Sequence, residues 1–420
     1  MLMNENNIPA GYKDSAVGII PQEWEVNILE NLGFFLRTNS LSRDKMNETK
    51  GSVRNIHYGD VLIKYQEILD VNKTDTPWIN DDCNGQLGDY LTNGDLIISD
   101  TAEDYTVGKA TEVIGLYNKK IVSGLHTMAF RPQPQIFASC YLGYYINSSI
   151  YRKQLFPLIQ GIKVCSISKN GILNTSVCIP NIVEQQKIVE ILKTWDEAIE
   201  KQSKLIKALE KRKRALMQRL LTGRVRLPGF TGEWVQKPLK ELFSERIETN
   251  CSHLPLLSIT ADRGVILQSE SDKKDNSNED KLKYKRICPN DIGYNTMRMW
   301  QGRSALSQIE GIVSPAYTIV VPNINVYPLF IAELLKRPRV VYDFWAHSQG
   351  LVSDTLNCKF PDFAQVKINL PLLEEQIAIA KVLVSADNEI KQHNTKLKQL
   401  CKQKQGLMQQ LLTGKKRVKI

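Results

Sequence analysis

The chain is 420 residues long, 42% apolar and 24% charged, with a net charge of +10. That composition excludes the disordered and collagen-like classes, and the length exceeds one ordinary core, so about two to three domains are expected. Residues 1 to 10 hold neither a basic cluster nor an apolar run, which argues against a signal peptide or a membrane span and makes the cytoplasm the expected compartment.

Taken in chain order, residues 1–180 read as a first globular domain. Short strands are expected at Val61-Leu62-Ile63 and Leu96-Ile97-Ile98, after turns at Gly59-Asp60 and Gly94-Asp95. The stretch from Phe137 to Ile146 is apolar at helical spacing and predicts a short helix. Pro180 then precedes a central long helix over 181–223, closed by Thr222-Gly223. A second globular domain follows over 224–371, with a strand at Ile319-Val320-Val321-Pro322 and a short helix from Leu329 to Lys336. Pro371 precedes a C-terminal long helix over 372–414, closed by Thr413-Gly414, and residues 415–420 form a basic tail.

Charge follows the same division. Residues 200 to 226 carry +8 and residues 391 to 420 carry +9, so the rest of the chain sums to −7. The eight cysteines, at 83, 140, 165, 178, 251, 288, 358 and 401, form no Cys-x-x-Cys pair and have no histidine at ligand spacing. No metal site and no disulfide framework are expected.

The chain repeats itself. At an offset of 191 residues, Leu216-Met217-Gln218-Arg219-Leu220-Leu221-Thr222-Gly223 aligns with Leu407-Met408-Gln409-Gln410-Leu411-Leu412-Thr413-Gly414, identical at seven of eight positions. The same offset pairs Pro180 with Pro371, Glu184-Gln185 with Glu375-Gln376 and Asp196 with Asp387. Upstream the offset drifts as loops differ: Glu23-Trp24 matches Glu233-Trp234, Asp95 matches Asp291, and Gln160-Gly161 matches Gln349-Gly350.

Both long helices carry an apolar stripe spaced four and three apart. It runs through Ile188, Leu192, Trp195, Ile199, Ile206, Leu209, Leu216 and Leu220 in the first. In the second it runs through Ile379, Leu383, Ile390, Leu397, Leu400, Leu407 and Leu411. So narrow a stripe predicts a coiled coil, and forty residues of helix would span about 60 Å. Polar breaks fall at Gln202 and Lys213 in one copy and at His393 and Lys404 in the other. An antiparallel pairing that makes the breaks meet sets Gln202 against Lys404 and Lys213 against His393; Gln202 against His393 is the alternative.

Enzyme signatures are missing: there is no phosphate-binding glycine loop, no Gly-x-Ser-x-Gly elbow and no Asn-Pro-Pro-aromatic methylation tetrapeptide. Glu279-Asp280-Lys281 lies in a charged, Ser/Asn-rich stretch and reads as solvated loop, while His126, His253 and His347 are isolated. No catalytic residue is assigned.

The tandem layout, the Pro-x-x-x-Glu-Gln helix starts and the Leu-Met-Gln-x-Leu-Leu-Thr-Gly helix ends together resemble the specificity subunit of Type I restriction-modification systems. Asn295 to Gly302 followed by Gly311 to Tyr317 is similar to one type of target-recognition domain, and Asn55 to Asp60 with Ser123 to His126 to another. The resemblance implies an α+β fold of two target-recognition domains separated by two long helices in an antiparallel coiled coil, related by a pseudo-twofold repeat. It implies a non-catalytic, DNA-binding role in which each domain reads half of an asymmetric bipartite site. It also implies docking of two modification (methyltransferase) subunits, which would hold S-adenosylmethionine, and of restriction (translocase/nuclease) subunits.

Base reading is expected on loops that bear Arg, Asn and Gln, whose side chains discriminate base edges. The candidates are Arg54, Asn55, His57, Tyr58, Lys64, Tyr65 and Gln66 in the first domain, and Asp262, Arg263, Asn295, Arg298, Gln301 and Arg303 in the second. Lys207, Lys211, Arg212, Arg214, Lys398 and Lys402 on the helices suit either DNA phosphate or partner helices.

Overall fold

The computed structural model describes residues 8–83, 85, 87–260, 263–271, 275, 280–352 and 355–419. It divides into two compact units, one of Met1–Gln202 with Lys396–Ile420, the other of Ser203–Thr395. Each unit therefore contains one globular domain, part of the central helix and part of the C-terminal helix.

In the first unit a five-stranded sheet runs in the order Gly33–Phe35, Thr127–Pro132, Leu96–Ser99, Ala110–Ile114, Ile68–Asp70, antiparallel except for the last pair. Leu96–Ser99 is buried along its whole length, which explains its unbroken apolar run. A second sheet joins Ile121–Ser123, Arg54–Ile56, Trp78–Ile79 and Met46–Asn47. Around the sheets lie α1 (Tyr58–Ile63), α2 (Tyr141–Ile146), α3 (Ser149–Leu155) and α4 (Lys169–Leu173).

The central helix, α5 (Ile182–Leu220), runs into the second unit. There an antiparallel sheet has the order Phe243–Arg246, Tyr317–Pro322, Ile292–Asn295, Ser304–Leu306. This is the first unit's strand order without the parallel edge strand. Helices α6 (Pro328–Leu334), α7 (Pro338–His347) and α8 (Phe360–Phe363) complete the domain before α9 (Leu373–Leu411).

The repeated motifs explain how each domain is fixed to the helices. Gln185 accepts from the Ala138 amide at 2.8 Å and donates to the carbonyls of Ile136 and Pro180. Gln376 accepts from the Tyr327 amide at 2.9 Å and donates to the carbonyls of Asn325 and Pro371. Both glutamines are fully buried, so each closes otherwise orphaned backbone groups where the helix begins. Gly223 and Gly414 both adopt φ +68° after the last helical turn. A side chain is strained at both by that φ, and at Gly414 a Cβ would also lie 2.3 Å from Pro21.

Within each unit the two helices run antiparallel. Ile188 and Leu192 of α5 share the first unit's core with Met408 and Leu411 of α9, and Leu220 of α5 shares the second unit's core with Ile379 and Leu383 of α9. Of the other stripe residues, Ile206 and Leu209 are buried, while Trp195, Ile199, Leu216, Ile390, Leu397, Leu400 and Leu407 are half-buried.

Two expectations are corrected. Val61 to Ile63 is helical, not a strand: His57 caps α1 by accepting the Gly59 amide on Nδ1 at 3.2 Å, and three apolar residues are too few to show a period. The partners of the seam lysines also differ from the expected ones. The Lys404 ammonium lies 2.6 Å from Asp196 and the Lys213 ammonium lies 2.6 Å from Asp387. An ammonium held in the seam is stabilised by a carboxylate more than by an amide or imidazole.

Candidate nucleic-acid interface

In the first domain the structure brings together the two segments that the sequence singled out. Ile121–Ser123 pairs in parallel with Arg54–Ile56, and the Gly124 amide donates to the Ile56 carbonyl at 2.9 Å. Tyr58 packs between two histidines, its ring centroid 4.5 Å from that of His57 and 5.3 Å from that of His126. Burial holds the His57 imidazole below its ordinary pKa, which keeps Nδ1 available as the α1 cap. His126 sits in the left-handed region at φ 55°, with Nδ1 3.3 Å from the Asp100 carboxylate and from the Thr101 hydroxyl. Arg43 reaches Asp60 at 2.5 Å beside the cluster.

The other first-domain candidates divide by burial. Asn55 is wholly buried, accepts from Asn39 at 3.1 Å and packs against Gly124, where a Cβ would lie 2.4 Å from its amide nitrogen. Tyr65 belongs to the core, with a buried hydroxyl that has no hydrogen-bond partner among the described residues. Neither presents an edge to a base, because both side chains are buried. Arg54 stacks on Trp78 at 4.0 Å and donates to the Thr76 carbonyl, and Lys64 donates to the Asp75 carbonyl at 2.6 Å. Both cations therefore converge on one loop. Gln66 is exposed.

In the second domain Asn295, Arg298, Gln301 and Arg303 share one loop between the strands Ile292–Asn295 and Ser304–Leu306. Asn295 turns the chain by accepting the Met297 amide at 3.0 Å, and the amides of Gln301 and Arg303 both donate to the Arg298 carbonyl. Met299 anchors the loop in the core, and Gly302 closes it at φ +74°. With the backbone satisfied internally, Arg298, Gln301 and Arg303 are left exposed. Arg263 donates to the Glu270 carbonyl at 3.1 Å. Asp262 lies outside the described residues, as does Glu279.

Each domain also holds a buried carboxylate, not among the sequence candidates, just before the strand whose far end leads to these residues. Asp95, fully buried, is gripped by Arg131 at 2.7 and 2.9 Å. Asp291, 2% exposed, is gripped by Arg246 at 2.7 and 3.2 Å. The repeat had already matched Asp95 with Asp291. The arginines come from non-equivalent strands, Thr127–Pro132 and Phe243–Arg246, so no alignment could pair them.

A cleft of about 410 Å3 lies in the second unit; in its wall Arg339 pairs with Asp343 at 3.3 Å and Arg337 donates to the Leu221 carbonyl at 2.7 Å. Among the described residues no group of three or more His, Cys, Asp or Glu is placed to hold a metal ion. No helix among them is long and apolar enough to cross a membrane.

The sequence pattern of the Type I restriction modification DNA specificity domain matches residues 43–211 and 319–402. A protein of Methanocaldococcus jannaschii described as the type I restriction enzyme MjaX specificity subunit is 25% identical over 97% of this chain and 97% of its own length. In fold, a chain from a study of complex assembly and conformational transition of the type I R-M system superposes with a TM-score of 0.59 at 16% identity, covering 94% of this chain and 99% of that one. The S subunit of the Type I restriction-modification system from M. genitalium gives 0.51 at 13% identity, over 93% and 96%.

Proposed function

We propose that this chain, which belongs to the Type I restriction-modification DNA specificity family, reads an asymmetric bipartite DNA site with one globular domain on each half. The observation that carries this reading is a contrast between the repeats. The residues that fix each domain to the helices recur one for one, Gln185 with Gln376 and Gly223 with Gly414, whereas the exposed loop residues do not. A common frame with unlike reading loops suits two unlike half-sites.

In the second domain Arg298, Gln301 and Arg303 are the base-reading candidates. In the first they are Tyr58 and Gln66, with His57 and the Arg54 and Lys64 cations beside them. The helices would set the gap between half-sites and dock two modification subunits carrying S-adenosylmethionine, with restriction subunits joining that complex in the cytoplasm. Arg212 is paired with Glu389 across the helices. The phosphate or partner role therefore falls to the exposed Lys207, Lys211, Arg214, Lys398 and Lys402.

Methylome sequencing of cells that express the chain with its modification subunit tests this reading. The expected result is methylation at a two-part sequence with an unspecified gap, lost when the chain is removed. Methylation that is unchanged without the chain would overturn it.

A further inference from the structure

Two apolar hairpin tips occupy equivalent places in the two domains. In the first, Gln160 and Ser166 exchange backbone hydrogen bonds of 2.9 and 2.8 Å and so close the segment 161–165. Gly161 turns the chain at φ 94°, and a Cβ there would lie 2.0 Å from the Val164 carbonyl oxygen. At the tip Ile162 is 99% exposed and Val164 is exposed beside it. In the second domain Gln349 and Asn357 exchange two bonds of 2.8 Å, Gly350 turns at φ 136°, Leu351 is fully exposed and Val352 is exposed beside it. An exposed aromatic stands four residues before each glutamine: Phe156 in one domain, Trp345 in the other.

Each neck is tied to the candidate reading face by the same bond. The Ile167 amide donates to the Asp100 carbonyl at 2.9 Å, and Asp100 holds His126 beside Tyr58. The Cys358 amide donates to the Thr296 carbonyl at 2.8 Å, and Thr296 begins the loop that carries Arg298, Gln301 and Arg303. Side chains without donors or acceptors cannot read the hydrogen-bond pattern of a base edge, so they can recur in domains whose half-sites differ. Charge does not recur with them: Lys163 stands where the second domain has Val352. A phosphate clamp would keep the cation and vary the apolar group.

The geometry points to Ile162 with Val164, and Leu351 with Val352, as apolar wedges, one per half-site, that enter duplex DNA at a base step whatever its sequence. Apolar side chains inserted between base steps unstack them and bend the duplex, which enlarges the surface that the protein covers. This rests on the reading of both domains as DNA-facing.

The test uses the full chain assembled with its modification subunit, a duplex bearing the methylated sequence and a duplex of unrelated sequence. Replacing Ile162→Ser together with Leu351→Ser should weaken binding to both duplexes by a similar factor, about tenfold or more, and reduce end-to-end bending read by energy transfer. The slope of log affinity against log salt should not change, because no phosphate contact is removed. Ile162→Leu with Leu351→Ile should retain wild-type binding. Unchanged affinity for both duplexes would overturn the wedge, as would loss of the modification subunit at unchanged DNA affinity, which would assign the tips to a protein partner. A wild-type complex that retains neither duplex would instead overturn the reading of the domains, and the wedge with it.

Discussion

Arg417 grips Glu184 through two parallel hydrogen bonds of 2.8 and 2.9 Å, although 233 residues separate them in sequence. Arg226 does the same to Glu375 at 2.6 and 2.6 Å. Each arginine stands three residues after the glycine that ends one long helix, and each glutamate lies in the first turn of the other. The end of each helix is thereby fastened to the start of its neighbour, and both glutamates are nearly inaccessible to water. Glu184 additionally accepts the Trp24 indole N–H at 3.0 Å, whereas the Trp234 indole N–H has no partner among the described residues.

The Arg417–Glu184 clasp should appear as a coupling. In a double-mutant cycle with Arg417→Ala and Glu184→Ala, denaturant unfolding should give an interaction energy of about 1–3 kcal/mol. Arg417→Ala alone should cost more than the double variant, because it strands a buried carboxylate. Additive effects would show that the clasp contributes no specific energy.

Lys404 tests the helix register. Its ammonium bridges Asp196 at 2.6 Å and Glu67 at 2.9 Å, and stands 5.2 Å from the Tyr144 ring. Lys404→Met should destabilise the fold by about 2–4 kcal/mol, since two half-buried carboxylates then face each other. Adding Asp196→Asn and Glu67→Gln should recover most of that loss, measured by thermal unfolding. If these two changes made Lys404→Met worse, the assigned register would be wrong.

Glu112 predicts a pH dependence. Burial pushes its carboxyl up to about 7, against the opposing effect of the Gly143 and Cys140 amides that donate to it. Between the ordinary value of 4.5 and about 7 the folded chain keeps a proton that the unfolded chain releases, so stability from this group falls as pH rises through that window. The loss should be on the order of 3 kcal/mol and complete above the upper end. Glu112→Gln should flatten the unfolding free energy over this range, and an unaltered slope would remove Glu112 as its source.

Arg298 and Arg246 should behave oppositely although they lie in one domain. Arg298→Ala removes an exposed group and should relax one half-site by about 1–3 kcal/mol while leaving the melting temperature unchanged. Arg246→Ala strands buried Asp291 and should lower the melting temperature without altering which bases are read. Competition binding with single-base variants of the site, beside thermal melts, separates the two.

The elements governed by local rules are legible in the sequence alone. Proline before each long helix, glycine after it and a narrow apolar stripe between mark where α5 and α9 run, because helix ends and helix faces obey short-range geometry. Their duplication likewise exposed Gln185 with Gln376 and Asp95 with Asp291 as equivalent positions. Tertiary structure decided what depends on which groups meet. Asn55 and Tyr65 have the right chemistry for reading bases, but the sheet and core turn them inward. Val61 to Ile63 is too short to reveal a period, and the His57 cap tips it into a helix. The register depends on which polar group a half-buried ammonium finds across the seam, and Asp196 and Asp387 lie off the stripe that the heptad pattern displays. Arg131 and Arg246 reach equivalent aspartates from different strands. Such pairings are settled by three-dimensional proximity and the cost of burying an unpaired charge, which no spacing along the chain encodes.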